Sequence, residues 1–248
     1  MFSSLNNKRR EIHNRQCYTL FMKVAIFDID GTIFRSSLLI ELTEAMIEKG
    51  LFPPSAKKGY EKELKRWQDR KDGYENYIGA VVEVFMKYIK GVSYGNFMDV
   101  SEEIVEFQKN KVYQYTRDLI AGLKKKKYFL LAISQSPKGT LDKFCETLGF
   151  NKVYGRFYEI DGDDKFTGKV TDEHLIANKA NIIKRAMEKE GFTLKGSIGI
   201  GDTEGDIPML EMVENPICFN PNAKLYKYAK INKWQIIVER KDVVYKIA

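Results

Sequence analysis

Apolar residues along the chain fall into short runs that have the length of buried β-strands. The strongest runs span residues 22–27, 128–133 and 197–200, and weaker ones span 216–219 and 234–238. Segments with apolar residues three or four positions apart lie between the runs and predict helices. These segments span residues 141–148, 175–190, 207–213 and 223–229. The alternation predicts an α/β fold with a doubly wound, Rossmann-like and mainly parallel sheet.

Residues 37–115 interrupt this alternation, because they contain no convincing buried strand. Apolar residues at helical spacing instead predict four amphipathic helices, at residues 38–49, 60–70, 74–90 and 99–115. We therefore expect an all-helical domain inserted into a core of residues 22–36 and 116–248, after an N-terminal tail of residues 1–21. Its aromatic residues are expected to form the core of the insert rather than to contact a ligand. They are Tyr60, Trp67, Tyr74, Tyr77, Phe85 and Tyr88.

The composition favours a protein of a reducing compartment. The three cysteines lie far apart with no Cys-x-x-Cys pair, so the sequence indicates neither a disulfide framework nor a cysteine zinc site. No apolar run approaches the roughly 18 residues that a membrane span needs, and the N-terminus lacks a signal-peptide core. We therefore expect a cytoplasmic protein without membrane contact, whose oligomeric state the sequence leaves open.

The formal net charge is +7, from 41 basic and 34 acidic residues, which would attract anionic ligands. The basic excess is spread along the chain, and its densest block, residues 124–127, lies where a helix is predicted to end. We therefore favour a small anionic molecule over nucleic acid as the partner. The basic residues near the N-terminus leave a non-catalytic RNA-binding module as an alternative.

The segment FDIDGT, residues 27–32, follows the first apolar run and carries two carboxylates, Asp28 and Asp30. Acids at a strand end can converge on one ligand, because the backbone turns there. An Asp-rich turn before a glycine is also a common way to leave a strand. The segment alone therefore leaves a purely structural role open.

Three further segments place polar residues at the ends of predicted strands or at the start of a helix. AISQS contains Ser134, ANKANII contains Lys179, and GIGDTEGD contains Asp202 and Asp206. The last two acids alone could also be a helix N-cap and a first-turn acid. Four carboxylates in one cleft would repel one another unless a cation neutralised them, and an oxygen-only ligand set suits Mg²⁺. The acids therefore indicate a Mg²⁺ site.

Together, the four segments resemble the signature motifs of the haloacid dehalogenase superfamily, in the same order, from residue 22 to the C-terminus. With a helical insert between the first two motifs, the sequence is similar to subfamily IB, the phosphoserine phosphatase-like hydrolases. The resemblance implies a haloacid dehalogenase-like core with an inserted C1-type cap. Such a cap closes over the site, excludes water and selects the leaving group.

The resemblance also implies the roles of individual residues. Asp28 would be the nucleophile that forms an aspartyl-phosphate, and Asp30 would protonate the leaving oxygen and then activate water. Ser134 and Lys179 would also be catalytic. Lys184 is the alternative candidate for the catalytic lysine. The residues implied to bind the substrate are Gly31, Thr32, Ser134, Gln135 and Lys179. The implied Mg²⁺ ligands are Asp28, the Asp30 backbone carbonyl, Asp202 and, directly or through water, Asp206.

Asp30 distinguishes between reactions within the superfamily, since phosphatases and phosphomutases carry an acid two positions after the nucleophile. A dehalogenase expels halide, which needs no proton. We therefore expect a Mg²⁺-dependent phosphomonoesterase that acts on a small phosphorylated metabolite, with a phosphotransferase or mutase as the alternative. True phosphoserine phosphatases carry a glutamate at the position of Ser37, so L-phosphoserine is in doubt unless Glu41 substitutes.

Overall fold

The computed structural model of the protein describes residues 22–171 and 178–247. The predicted tail, residues 1–21, and the first residues of the helix predicted at 175–190 lie outside these ranges. Within the described ranges, one sheet of eight strands forms the centre of the molecule. Its strands are β1 (Met22–Phe27), β2 (Phe129–Pro137), β3 (Lys152–Ile160), β4 (Phe166–Thr171), β5 (Phe192–Gly201), β6 (Asn215–Phe219), β7 (Gln235–Arg240) and β8 (Val243–Ile247).

The sheet is parallel except at its two edges. Its strand order is β4-β3-β2-β1-β5-β6-β7-β8, and only the outermost strands, β4 and β8, pair antiparallel to their neighbours. Strand β1 lies between β2 and β5 and is parallel to both. The predicted α/β fold with a mainly parallel sheet is therefore confirmed. The carboxyl ends of β1, β2 and β5 lie side by side, at the edge where such sheets bind ligands.

All five predicted strands are present, but the apolar pattern did not predict β3, β4 and β8. Most β3 side chains are partly exposed, and polar residues interrupt its apolar ones. Strand β8, VVYKI, is apolar at four of its five positions, but all five are exposed. The acidic turn at residues 161–165 connects β3 to β4 as a hairpin.

Helices cover both faces of the sheet and form the insert that follows β1. The described α-helices are α1 (Leu38–Glu48), α2 (Glu61–Gln68), α3 (Tyr74–Ile89), α4 (Tyr94–Gln108), α5 (Gln114–Lys125), α6 (Lys138–Leu148), α7 (Lys179–Glu190), α8 (Ile207–Leu210) and α9 (Ala223–Asn232). The first four belong to the insert, together with the 3-10 helix Pro54–Gly59. None of the described helices has the length and apolar character to cross a bilayer. The cap limits at residues 37 and 115 stay a prediction.

The bounds predicted for the helix at residues 99–115 are wrong at both ends. The structure has α4 at Tyr94–Gln108, and residues 111–113 are not helical. Their backbone pairs with the loop after β1, where the Tyr113 N–H donates to the Ile33 carbonyl at 2.9 Å. This long-range pairing overrides a helical pattern that continues through the segment.

Three hydrophobic clusters hold the layers together. Two of them lie on opposite faces of the sheet, and the neighbouring residues Leu130 and Leu131 belong to one each. Both leucines are fully buried, because successive strand residues point to opposite faces and helices cover both. The third cluster fills the insert and includes Phe85 and, from β4, Phe166. The insert therefore has a hydrophobic core of its own, to which the edge hairpin contributes.

We expect Leu130→Ala and Leu131→Ala each to lower the free energy of unfolding by about 2–5 kcal/mol, because each leaves a cavity in one of the two core layers. Urea denaturation measures the effect. The matched control is Ile231→Ala, at a position that is 80% exposed, which should change stability by about 0.5 kcal/mol or less. A small effect at either leucine would contradict burial on both faces.

Candidate active site

Asp28 lies at the end of β1 and is only 7% exposed. Its N–H donates to the Ile200 carbonyl of β5 at 2.9 Å, so its backbone continues the sheet. The Nζ of Lys179, the first residue of α7, donates to Asp28 Oδ1 and to Asp206 Oδ1, both at 2.5 Å. The predicted lysine therefore reaches the site, whereas the alternative candidate Lys184 is exposed on α7.

Asp30 has a separate set of partners. One of its carboxylate oxygens accepts from the Leu38 N–H at the start of α1, at 2.6 Å. The other accepts from the hydroxyls of Ser134 and Ser136 at the end of β2, at 2.6 and 2.8 Å. A helix N-terminus favours a carboxylate, so α1 and β2 together fix the orientation of the Asp30 side chain.

Asp206 connects the end of β5 to Lys179. Its Oδ2 accepts from the backbone N–H groups of Asp202 and Thr203, both at 3.0 Å, in a capping box at the 3-10 helix Glu204–Asp206. The alternative interpretation is therefore correct for Asp206, a first-turn acid, but not for Asp202, because the N-cap is Thr203. The other oxygen accepts from Lys179, so one buried carboxylate holds both the lysine and the backbone of Asp202.

Asp28, Asp202 and Asp206 form a cluster in which one carboxylate oxygen of each lies within 4.8 Å of the others. Burial raises the pKa of Asp28 to about 7; Lys179 opposes this shift, and the neighbouring acids add to it. Burial and the charges of Asp28 and Asp206 also raise the pKa of Asp202 well above its usual value. The cluster therefore resists carrying its full negative charge.

Lys179 is the only cationic side chain in ion-pair contact with this cluster within the described residues. Burial disfavours its charged form, but the carboxylates of Asp206 and Asp28 outweigh burial and raise the pKa of Lys179. The Asp202 side chain accepts only the Thr32 hydroxyl, at 3.2 Å, among the described contacts. Three carboxylates share one positive charge, and this excess of negative charge is what a divalent cation would neutralise.

Gly31 and Thr32 shape the wall behind Asp202. Gly31 has φ +80°, and a Cβ at this position would lie 2.2 Å from Asp202 Oδ2. Only glycine therefore fits both the backbone conformation and the space. Thr32 is fully buried, so the structure places this predicted substrate-binding residue in support of Asp202 and not in the cavity wall.

A cavity of about 770 Å³ opens above the acids, between the sheet edge and the helical insert. Three of the predicted substrate-binding residues, Gly31, Gln135 and Lys179, line it. Ser134 is buried and directs its hydroxyl to Asp30, whereas Ser136 lines the cavity. The structure thus brings all four predicted acids and Lys179 to one place beside this cavity.

Several cavity residues were not predicted from the sequence. Tyr60 and Phe85 lie in the core of the insert as expected, but Trp67, Tyr74 and Tyr77 also line the cavity. Nothing in the helical pattern distinguishes these two groups of rings. Arg156 of β3 was missed along with its strand. Ser136 had a signal, because it follows Ser134 by two positions and such residues share one face of a strand.

Residues 25–211 match the model of the haloacid dehalogenase-like hydrolase family. This chain belongs to that family. Two relatives of the hydrolase are named phosphatases. A phosphoserine phosphatase of Mycobacterium tuberculosis is 25% identical over 215 residues, which cover 86% of this chain and 69% of that protein. A histidinol-phosphatase of Neisseria meningitidis is 23% identical over 226 residues, which cover 86% of this chain and 97% of the relative.

Solved structures show the same fold. A phosphoserine phosphatase determined as a phospho-aspartyl intermediate analogue has a TM-score of 0.58 and 23% identity, and the match covers 90% of this chain and 95% of that one. A Bordetella pertussis protein of unknown function has a TM-score of 0.68 and 17% identity, over 87% and 98% of the two chains. The predicted resemblance to phosphoserine phosphatase-like members of the family is confirmed, and the chain is a hydrolase of this family.

We expect Gly31→Ala to lower the affinity for a divalent cation at least about tenfold, because the new methyl group displaces the Asp202 carboxylate. Calorimetric titration with Mg²⁺ measures the change. Gly122→Ala, which places its methyl group in open space on α5, is the matched control and should bind as the wild type does. Unchanged binding by Gly31→Ala would show that Asp202 takes no part in holding the cation.

Proposed function

We propose that this hydrolase is a Mg²⁺-dependent phosphomonoesterase that acts on a small phosphorylated metabolite through an aspartyl-phosphate on Asp28. The observation that carries the proposal is the environment of Asp28. Its carboxylate lies at a strand end, contacts Lys179, borders Asp202 and Asp206, and faces a cavity large enough for a metabolite. Family membership and the phosphatase names of two relatives support the same reaction.

The residues that would hold Mg²⁺ are Asp28, Asp202 and Asp206, together with the backbone carbonyl of Asp30. The donors are oxygen atoms only, which Mg²⁺ prefers, and their charge exceeds what Lys179 offsets. A bound Mg²⁺ would neutralise charge on the phosphoryl oxygens and so make phosphorus easier to attack. The chain's own residues fit such an ion.

In the first step, a carboxylate oxygen of Asp28 would attack phosphorus. An Asp28 oxygen–phosphorus bond forms while the ester phosphorus–oxygen bond breaks, and the electron pair of the broken bond goes to the leaving oxygen. Asp30 would transfer its proton to that oxygen, so that an alcohol departs. Asp30 suits this role because it lines the cavity and its carboxyl group is fixed by Leu38, Ser134 and Ser136.

In the second step, Asp30 would take a proton from a water molecule as the water oxygen attacks phosphorus. The bond between Asp28 and phosphorus breaks, inorganic phosphate leaves, and both acids return to their starting forms. Lys179 would neutralise charge on the phosphoryl group throughout, because it remains an ammonium beside Asp28. The insert would keep bulk water away during the first step.

Among the predicted phosphoryl-binding residues, Gly31, Gln135 and Lys179 line the cavity. We retain them as proposed contacts and add Ser136, which lines it as well. Ser134 donates its hydroxyl to Asp30 and accepts from the Ser136 N–H at 2.9 Å, so we assign it to positioning these two groups.

The surroundings of Ser37 argue against L-phosphoserine as the substrate. Ser37 is buried, and its hydroxyl is hydrogen-bonded to that of Tyr74, so a neutral pair takes the place of the glutamate expected there. Glu41 does not substitute, because its carboxylate binds Lys111 at 2.8 Å and Gln108 at 2.9 Å. The described residues around Ser37 thus offer a substrate ammonium group no free carboxylate.

We expect the purified protein to release phosphate from part of a panel of phosphomonoesters when Mg²⁺ is present, and to stop when EDTA removes it. Asp28→Asn should lower the rate at least about a thousandfold, because an amide is a poor nucleophile, while circular dichroism shows an intact fold. Malachite-green phosphate detection measures the release.

The outcome for Asp28→Asn separates the proposed mechanism from its alternatives. Full activity in this variant would mean that Asp28 is not the nucleophile. Substrate loss that rises with added alcohol, without equal phosphate release, would indicate phosphoryl transfer instead of hydrolysis. Asp118→Asn is the matched control, because this exposed aspartate lies on α5 away from the cavity and should leave the rate unchanged.

The stabilising effect of Mg²⁺ should grow with pH. A carboxyl group with a raised pKa favours the folded state at low pH, and this contribution is lost as pH rises from about 4 towards the folded-state pKa of Asp28, about 7. Bound Mg²⁺ offsets the loss, because it stabilises the ionised carboxylates. We therefore expect a larger Mg²⁺-induced rise in Tm at about pH 8 than at about pH 5.5.

Differential scanning fluorimetry with Mg²⁺ or EDTA at both pH values measures this effect. Asp202→Asn should remove most of the Mg²⁺ response, because it deletes a proposed ligand. An equal rise in Tm at the two pH values would contradict the assignment of buried, proton-sensitive carboxylates as the ligands.

A further inference from the structure

The wall of the cavity on the insert side is built from three aromatic rings. Trp67 of α2 stacks on Tyr77 of α3 with ring centroids 5.6 Å apart and an interplanar angle of 15°. Tyr74 meets Trp67 edge-on at 5.5 Å and Tyr77 at 6.0 Å. All three rings line the cavity, and Trp67 is only partly buried. The cluster therefore holds its own geometry and still presents ring surface to the cavity.

The neighbours of this aromatic cluster are also apolar. Leu39 and Ile40 of α1 and Ile78 and Val82 of α3 line the same cavity. A small hydrophilic alcohol such as a serine side chain would leave this apolar surface in contact with water. A flat ring would cover it, and stacking on aromatic side chains would add attraction beyond the buried area.

Few charged groups lie beside the aromatic cluster. Ser37 and Tyr74 form a neutral pair, as described above. Glu75 lines the cavity, but its carboxylate accepts from the Asn222 side-chain amide at 3.1 Å. Within the described residues, the remaining cavity carboxylates belong to the proposed metal and acid positions. Glu75 keeps its charge, because the amide is neutral, and it is the single carboxylate near the rings outside those positions among the described cavity residues.

Arg156 of β3 brings an unpaired positive charge to the same cavity. Its guanidinium donates to the Gln135 side-chain carbonyl at 2.5 Å and has no carboxylate within ion-pair distance among the described residues. Its Nε is buried with no hydrogen-bond partner in the described part of the chain. Because the accessible end of the guanidinium lines the cavity, an anionic acceptor on the substrate could form a charge-assisted hydrogen bond with it.

We propose that the physiological substrate is a phosphomonoester whose leaving group carries a flat aromatic or heteroaromatic ring and a second, anionic group. The ring lies against Trp67, Tyr74 and Tyr77, and the anionic group binds Arg156. This inference rests on the proposed phosphatase function, because it places the phosphate at Asp28. The insert would then recognise a ring and β3 an anionic group. Neither would recognise the ammonium group of an amino acid.

The first test compares benzyl phosphate with cyclohexylmethyl phosphate, two esters of similar size and leaving-group chemistry in which one ring is flat and the other puckered. We expect kcat/KM to be about tenfold higher for benzyl phosphate, mainly through KM. Trp67→Ala should bring this ratio close to one, and Trp67→Phe should retain most of it. A ratio near one in the wild type, or one that Trp67→Ala leaves unchanged, would overturn the ring assignment.

The second test compares carboxybenzyl, benzyl and aminomethylbenzyl phosphates, whose ring substituent is anionic, absent and cationic. We expect the carboxylate ester to be preferred over benzyl phosphate by about tenfold, as a charge-assisted hydrogen bond to a guanidinium would provide. Arg156→Gln should abolish this preference, and Arg156→Lys should restore part of it. Preference for the ammonium ester, or a carboxylate preference that survives Arg156→Gln, would overturn the assignment of Arg156.

A binding measurement separates failure of this inference from failure of the proposed reaction. The sequence has two tryptophans, so Trp234→Phe leaves Trp67 as the single tryptophan. In the double variant Asp28→Asn, Trp234→Phe with Mg²⁺, carboxybenzyl phosphate should change the Trp67 fluorescence at lower concentration than its cyclohexyl counterpart. This result would support the ring site even if no ester were hydrolysed, whereas equal responses would contradict it.

Discussion

Repulsion among three carboxylates held at one edge of the sheet is the constraint on which the site depends. Asp28 follows β1 and Asp202 follows the neighbouring parallel strand β5. Asp206 is held by the backbone of the turn after β5. One ammonium group, that of Lys179, contacts this cluster in the described structure. The folded protein therefore concentrates negative charge at the place where a divalent cation and a phosphoryl group would complete the site.

The strand order explains how distant segments supply this site. Because β1 lies between β2 and β5, the carboxyl ends of all three strands open into the same crevice. The acids come from the ends of β1 and β5, and the hydroxyls that orient Asp30 come from β2. Both faces of the sheet are buried, so these strand ends are held by two hydrophobic layers and not by the loops alone.

In the proposed function, the helical insert recognises the leaving group and the core carries out the reaction. The acids and Lys179 belong to the core and would bind the phosphoryl group of any monoester, whereas the rings of Trp67, Tyr74 and Tyr77 line the part of the cavity where a leaving group would lie. The same rings pack against one another, so one aromatic cluster stabilises the insert and shapes the cavity. Substitutions here would change the substrate without changing the reaction.

The sequence by itself determined the buried strands and the acids that follow them, because both depend on local patterns: apolar runs of strand length and polar residues at their ends. It also indicated Lys179, which opens α7. Only the tertiary structure decided which insert rings face the cavity, that Arg156 joins them, and that residues 111–113 leave the helical pattern. Those outcomes depend on contacts between segments far apart in the chain, such as the Tyr113–Ile33 backbone hydrogen bond, which no local pattern records.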